Sequence, residues 1–164
     1  MSATLENDAL PEELQDSTLA LRTTDQFLTF ELAGQQYGID ILRVQEIKVL
    51  CPITSIPSCP SYYKGIINLR GAVIPIIDLK AKLTLPESSY GNHAVIIVAN
   101  CGKKTAGLVV DSVSEVLDIP RKSIDEVPSV GEQQGCTLIG GIARTEQALV
   151  SLVNIERLFD ETSF

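Results

Sequence analysis

Residues 62–79 read YYKGIINLRGAVIPIIDL. Two apolar runs, Gly65 to Leu69 and Ala72 to Leu79, are rich in Ile and Val, which suit a pleated, half-buried surface. Arg70-Gly71 stands between them. A glycine in so short a connection can take the positive φ that a tight hairpin needs. The segment therefore predicts a β-hairpin with Arg70 near its tip. Spacing alone leaves two roles open for that Arg: a turn residue that keeps the tip soluble, or a side chain presented to a partner. Pro75 cannot donate to a ladder, so its strand is expected to be an edge or to be bulged there. Asp78 is placed to cap a short helix, Leu79 to Leu83.

Upstream of the hairpin, Phe27, Leu28, Phe30 and Leu32 predict a first strand, Gly34-Gln35-Gln36 a turn, and Tyr37 to Ile41 a second strand. Leu42 to Val49 continues the pattern, but Arg43 and Gln45 break strict alternation, which predicts a bulge or bend. Val44 and Glu46, two residues apart, are expected on one strand face. Val44 reads as core or as contact surface, and Glu46 as a solvated or a binding acid. Cys51 to Pro60 is a Pro-rich connection, and Leu85 to Asn92 a loop. Residues 1–25 hold six acids and one base and read as an acidic flexible tail, with a helical turn allowed from Pro11 to Leu14.

The second half of the chain repeats the first. At a shift of 69, Phe27-Leu28 falls on Ile96-Ile97, Gly38-Ile39 on Gly107-Leu108, and Val44, Glu46 and Ile47 on Val113, Glu115 and Val116. At a shift of 76, Gly65-Ile66 falls on Gly141-Ile142, and Ile76-Ile77-Asp78-Leu79 on Leu152-Val153-Asn154-Ile155. Seven extra residues between Ile119 and Leu138 reconcile the two shifts, and Asp78 and Asn154 become equivalent helix caps. Paired glycines, a paired Glu and paired caps in one order point to two similar β lobes, neither able to bury much surface alone. They should pack on each other and leave a groove. Residues from Ile155 begin a final short helix.

Composition narrows the function. The 164 residues carry a net charge of −8, of which residues 1–25 contribute −5, so the body is close to neutral and has no basic cluster. That argues against nucleic acid or an anionic membrane surface as partner. Apolar runs are far shorter than a membrane span, and no export signal opens the chain. Cys51, Cys59, Cys101 and Cys136 lack metal-binding spacing, and the single His93 has no motif around it, so no metal site is expected and the thiols are read as reduced. No nucleophile elbow, HExxH or Walker loop occurs, and Asp111 reads as a hydrogen-bonded strand-end residue. The reading is a binding module, with neither enzyme activity nor cofactor.

Four motifs in one order, YGIDILRVQEI (37–47), KGIINLRGAVIPIIDL (64–79), VVDSVSEVL (109–117) and LVNIERL (152–158), resemble the CheW family of bacterial chemotaxis coupling proteins. The resemblance covers about residues 26–159. It implies a mainly β fold of two five-stranded SH3-like β-barrel lobes packed together, with short helices including a C-terminal one. Lobe 1 would span about 26–84 and lobe 2 about 93–155, sharing a core and exchanging terminal strands, with 160–164 a second tail. The family is a cytoplasmic scaffold without catalysis or cofactor, held at the inner face of the membrane through receptor arrays. Its partners are the helical cytoplasmic signalling tip of chemoreceptors, the regulatory domain of the histidine kinase CheA, and other CheW copies in rings. Carried over by position, the receptor-facing residues would be Val44, Glu46, Gly65, Asn68 and Arg70, with Val95, Gly107, Val113, Val116 and Gly141 from the second lobe. Kinase contacts would lie at the barrel ends, with Ile41 and Leu42 as candidates. The acidic tail has no counterpart in the family's motifs. A related chemosensory pathway, such as pilus motility, could use the same fold.

Overall fold

The computed structural model describes residues 23–85, 90–127 and 138–162. Among them are eleven strands and two short α-helices. In chain order these are β1 (Thr24–Leu32), β2 (Gln35–Asp40), β3 (Val44–Val49), β4 (Tyr63–Leu69), β5 (Ala72–Asp78), α1 (Leu79–Lys82), β6 (Val95–Cys101), β7 (Lys104–Val110), β8 (Ser112–Pro120), β9 (Ile124–Asp125), β10 (Ile139–Arg144), β11 (Leu149–Val153) and α2 (Ile155–Glu161). The helical turn allowed at Pro11–Leu14 lies outside the described residues.

The hairpin forms as expected. β4 and β5 pair antiparallel, joined by Arg70 at φ 51° and Gly71 at φ 89°. Asn68 Oδ1 accepts from the Gly71 N–H at 2.9 Å and holds the turn closed. The chain reverses at β1–β2 on Ala33 (φ 50°) and Gly34 (φ 81°), one residue earlier than the glycine and glutamines suggested. β5 is an inner strand, not an edge. Pro75 is tolerated because pairing with β7 begins only at Ile76, so no partner on that side needs its missing N–H. Asp78 caps α1 by accepting from the Lys80 and Ala81 N–H groups, and Asn154 caps α2 by accepting from Arg157.

Two sheets result, ordered β8-β1-β2-β11-β10-β9 and β3-β6-β7-β5-β4. Under the repeat shifts, β1 to β5 correspond to β6, β7, β8, β10 and β11. The two orders then become one order, with β9 added at an end. Neither sheet is one half of the chain: each combines the first two strands of one repeat with the last three of the other. Two pairings join the repeats in each sheet: an antiparallel one, β1 with β8 and β3 with β6, and a parallel one, β2 with β11 and β5 with β7. Even the irregularities repeat. One extra residue is accommodated at Gln45 in β3 and at the matching turn of β8, and another at Lys64 in β4 and Gly140 in β10.

Alternation along the strands then makes three cores. Ile67, Ile74, Ile76, Ile96, Val98 and Val109 fill the concave side of the second sheet. Ile119, Ala143, Val150 and Leu152 do so in the first. The opposite faces meet in the largest core, where Leu28, Phe30 and Ile39 of one sheet pack on Ile77, Ile97 and Leu108 of the other, covered by Leu158 and Phe159 of α2. Burying both faces of each sheet explains why the Ile/Val runs are continuous rather than alternating.

An ion pair between a buried lysine and a half-buried aspartate pins the two sheets. Lys80 is 2% exposed, and its Nζ lies 2.7 Å from Asp111 Oδ1 and over the Tyr90 ring. Asp111 Oδ2 accepts from Ala33 N–H in the β1–β2 turn at 2.9 Å. Asp111 is thus the hydrogen-bonded strand-end residue that the sequence suggested. Tyr90 donates to Asp78, and burial with that bond raises its phenol above the ordinary value.

Candidate functional site

The hairpin tip lies beside an open groove of about 710 Å³. Leu69, Ala72, Val73, Ile74 and Pro75 of the hairpin line it, with Lys103 of the β6–β7 turn and Lys104 and Thr105 at the start of β7. Val73 is 63% exposed, large for a branched apolar side chain. No carboxylate lines this groove. Arg70, 67% exposed, stands at its rim and pairs through both terminal nitrogens with the Glu46 carboxylate on β3. That pairing lowers the Glu46 pKa, by hydrogen bond first and charge second, and raises that of Arg70. The tip Arg is therefore held in a bidentate grip with its outer face open to solvent.

Val44 and Glu46, expected on one strand face, point to opposite faces. The extra residue at Gln45 restarts the alternation, so Val44 sits opposite Ala99 and packs on the large central core while Glu46 sits opposite Val98. The other proposed receptor-facing residues divide by role. Val95 and Val113 pack on the same central core as Val44. Gly107 is buried in the second sheet's concave core, where a Cβ would meet Ile76 Cδ1 at 2.6 Å and Ile96 Cγ2 at 2.7 Å. At Gly65, φ is 145° and a Cβ would lie 2.1 Å from the Thr54 carbonyl oxygen. That carbonyl accepts from Ile66 N–H at 2.9 Å and so fastens the Pro-rich connection over the hairpin. Gly141 takes the equivalent place against β9, where a Cβ would meet Ile124 Cγ2 at 2.9 Å. Asn68 closes the turn. Among the ten, Glu46, Asn68, Arg70 and Val116 offer functional groups or apolar surface to solvent. Val116 is 47% exposed on edge strand β8.

Of the kinase candidates, Ile41 packs on the central core, whereas Leu42 is 79% exposed. Both lie in a 3₁₀ turn, Ile41–Arg43, capped by Asp40 accepting from Leu42 N–H. Arg43 ties that turn to Glu156 of α2.

Sequence reasoning missed three features here: the Glu46–Arg70 pair, the two lysines across the groove, and the inverted charge of the second hairpin tip. The last was available from the shift of 76, which places Glu146 on Arg70. A second hollow of about 450 Å³ at that tip is lined by Glu115, Asp118 and Glu146, with Arg144. The repeat thus keeps the scaffold and reverses the charge. Val73 and Leu149, equivalent by the same shift, are exposed to the same degree.

Nothing in either hollow assembles a nucleophile with a base. No cluster of three or more His, Cys, Asp or Glu suited to a metal occurs among the described residues, and no helix there is long and apolar enough to cross a membrane. His93 is exposed, and Cys51, Cys59 and Cys101 are free thiols; Cys136 lies outside the described residues.

Comparison with known proteins places this arrangement. Residues 26–163 match the model of the CheW-like domain. The chemotaxis protein CheW of Klebsiella aerogenes is 40% identical over 143 residues, covering 87% of this chain and 86% of that protein. Protein FrzA of Myxococcus xanthus is 28% identical, over 84% of this chain and 86% of its own length. The crystal structure of the scaffolding protein TtCheW from Thermoanaerobacter tengcongensis matches with a TM-score of 0.75 and 35% identity, covering 80% of this chain and 89% of that one. The doubled β architecture, the four motifs in order and these matches carry one conclusion: this chain belongs to the CheW-like family.

Proposed function

We propose that this protein is a non-catalytic adaptor of a chemosensory pathway, coupling the helical cytoplasmic tip of chemoreceptors to the regulatory domain of the histidine kinase CheA. The observation that carries the reading is the family match across residues 26–163, together with a tip Arg presented at an open groove. An adaptor needs surfaces, not a reaction centre, and the exposed groups are of that kind. Val73 and the hairpin give the groove an apolar floor, and Arg70, Lys103 and Lys104 give it a basic rim. Such a rim suits a helix carrying carboxylates. Leu42, Val49 and Ile47 form a second exposed apolar run along edge strand β3 and the turn before it, which suits a lobe-to-lobe contact with a kinase domain or another copy in a ring. Those contacts would act in cytoplasmic arrays at the inner membrane face.

Coupling in this scheme is thermodynamic: the adaptor holds receptor and kinase in fixed relation, so a change in one biases the other. Single contacts on the order of micromolar suffice when an array multiplies them. The similarity to FrzA favours a second reading, in which the same adaptor role serves a related chemosensory pathway such as one governing pilus motility. The test is reconstitution. Full-length protein, a receptor signalling fragment and the kinase are mixed, and phosphate incorporation is followed. Kinase activation that depends on all three supports the proposal; activation without this protein, or no co-purification with either partner, removes it.

A further inference from the structure

β3 ends the second sheet and pairs with β6 alone. The strand at the other end, β4, has its edge covered: Thr54 both donates to and accepts from Ile66. Among the described residues β3 has no such cover. Ile47 and Val49 on it are exposed, as are Leu42 just before it and Ile56 in the Pro-rich connection. An uncovered apolar edge is a template for another strand. The sequence says which strand. Read antiparallel to itself about Ile47, the segment Glu46-Ile47-Lys48 sets Ile47 against Ile47 and, on both sides, Glu46 against Lys48. An apolar pair and two opposite-charge pairs fall in register. The bulge at Gln45 limits the regular pairing to these three residues, with exposed Val49 beside them. Within one chain Lys48 acts on Glu46 through space, as one of the charges that lower its pKa. Glu46 keeps Arg70 in this arrangement, because a carboxylate has acceptor sites for more than one cation. β8, the corresponding end strand of the first sheet, does not match itself. About Val116 it would set Glu115 against Leu117 and Ser114 against Asp118, with acids on both strands and no base.

We propose that two copies of this chain join edge to edge through β3, antiparallel about Ile47, into a two-fold dimer. A two-fold contact uses the same patch on both copies and closes on itself, unlike the head-to-tail contacts that build a ring. So short a paired stretch belongs to the small class of interfaces, below about 1,200 Å², and its dissociation constant is on the order of 100 μM. Salt weakens the dimer, because its charge pairs lie at a solvent-facing edge. The dimer covers the run of Leu42, Ile47 and Val49 offered above to a kinase domain, so dimer and kinase complex exclude each other. That exclusion rests on the adaptor reading; the dimer does not.

The experiment follows the full chain by analytical ultracentrifugation from about 10 μM to about 1 mM. A dimer is expected to fill across this range. Lys48→Glu sets like charges together and is expected to weaken it about tenfold, with an unchanged thermal melt. Mild oxidation of Ile47→Cys should then link residue 47 to residue 47, because facing Cα atoms in an antiparallel pair lie about 4.5–5.5 Å apart, within disulfide reach. Val49→Cys should not link to itself, because an offset of four residues carries its twin beyond about 7 Å. Peptide mass spectrometry locates the links, and the wild-type chain sets the background from the native thiols. A monomer at about 1 mM, an unchanged dimer in Lys48→Glu, or Val49→Cys linking as readily as Ile47→Cys overturns the proposal. The kinase regulatory domain is last titrated into the 47–47 linked dimer and into the reduced variant. Loss of binding on linking supports the exclusion. Equal binding leaves the dimer standing and refutes the kinase's use of β3.

Discussion

Replacing Gly65 with Ala tests whether the family's glycines contact partners or build the fold. The position takes φ 145°, a region L-residues rarely enter, and such strain costs on the order of 1–3 kcal/mol. The added Cβ would also fall 2.1 Å from the Thr54 carbonyl oxygen, a backbone atom with no rotamer to escape through. Relief requires breaking the two Thr54–Ile66 hydrogen bonds, at about 0.5–1.5 kcal/mol each. A total loss of about 2–6 kcal/mol follows, a sizeable share of the 5–15 kcal/mol typical of a domain. It corresponds to a fall in Tm of about 4–24 °C for a chain of this length. Circular dichroism melts read it directly, and a receptor-binding assay well below the variant's Tm reads function separately. A variant that melts within about 2 °C of wild type yet fails to bind receptor would refute the reasoning. It would place Gly65 in a contact surface and show the Thr54 segment free to move.

Arg70→Ala is expected to leave Tm nearly unchanged, because exposed ion pairs contribute about 0–1 kcal/mol, while weakening receptor binding by about 1–3 kcal/mol; a pull-down beside a melt checks both. The lowered pKa of Glu46 makes its pairing with Arg70 fully present above its unfolded value near 4.5 and lost as pH falls through the lower folded value. Wild type should therefore lose slightly more stability than Arg70→Ala on acidification below about pH 4.5, read by urea melts across pH. Val44→Asp puts a carboxylate against the central core and should cost folding before binding, seen as a lowered Tm with normal affinity in the remaining folded protein. Asp111→Ala removes the carboxylate beside buried Lys80 and an acceptor for Ala33, and should destabilise by about 3–5 kcal/mol. Lys80→Met should cost less, since an apolar side chain of similar length fills the site without a charge to compensate.

The repeat was legible because it rests on residue identities that geometry compels. Gly38 and Gly107 both lie where a strand crosses in parallel to the other repeat, and each would press a Cβ into that partner's side chains. Asp78 and Asn154 both end a strand and begin a helix, where a side-chain acceptor is needed. The Arg70-Gly71 turn was legible for the same reason. The faces of β3 were not, because an extra residue at Gln45 leaves the apolar pattern intact while reversing which side each residue faces. Nor could spacing tell a contact valine from a core valine: Val44, Val95 and Val113 look surface-bound one strand at a time, and only the meeting of the sheets buries them. The Glu46–Arg70 pair joins residues 24 apart, one on outermost strand β3 and the other in the turn after outermost strand β4, a closeness set by how that sheet curls.

Because each sheet borrows its first two strands from the opposite repeat, the molecule has the connectivity of two small subunits that traded arms within one polypeptide. Neither repeat, of some seventy residues, completes a sheet without strands from its twin. Once joined, the twins no longer had to be alike. One tip could keep an arginine while its sibling took up a glutamate, and a symmetric pair became a molecule with a front and a back.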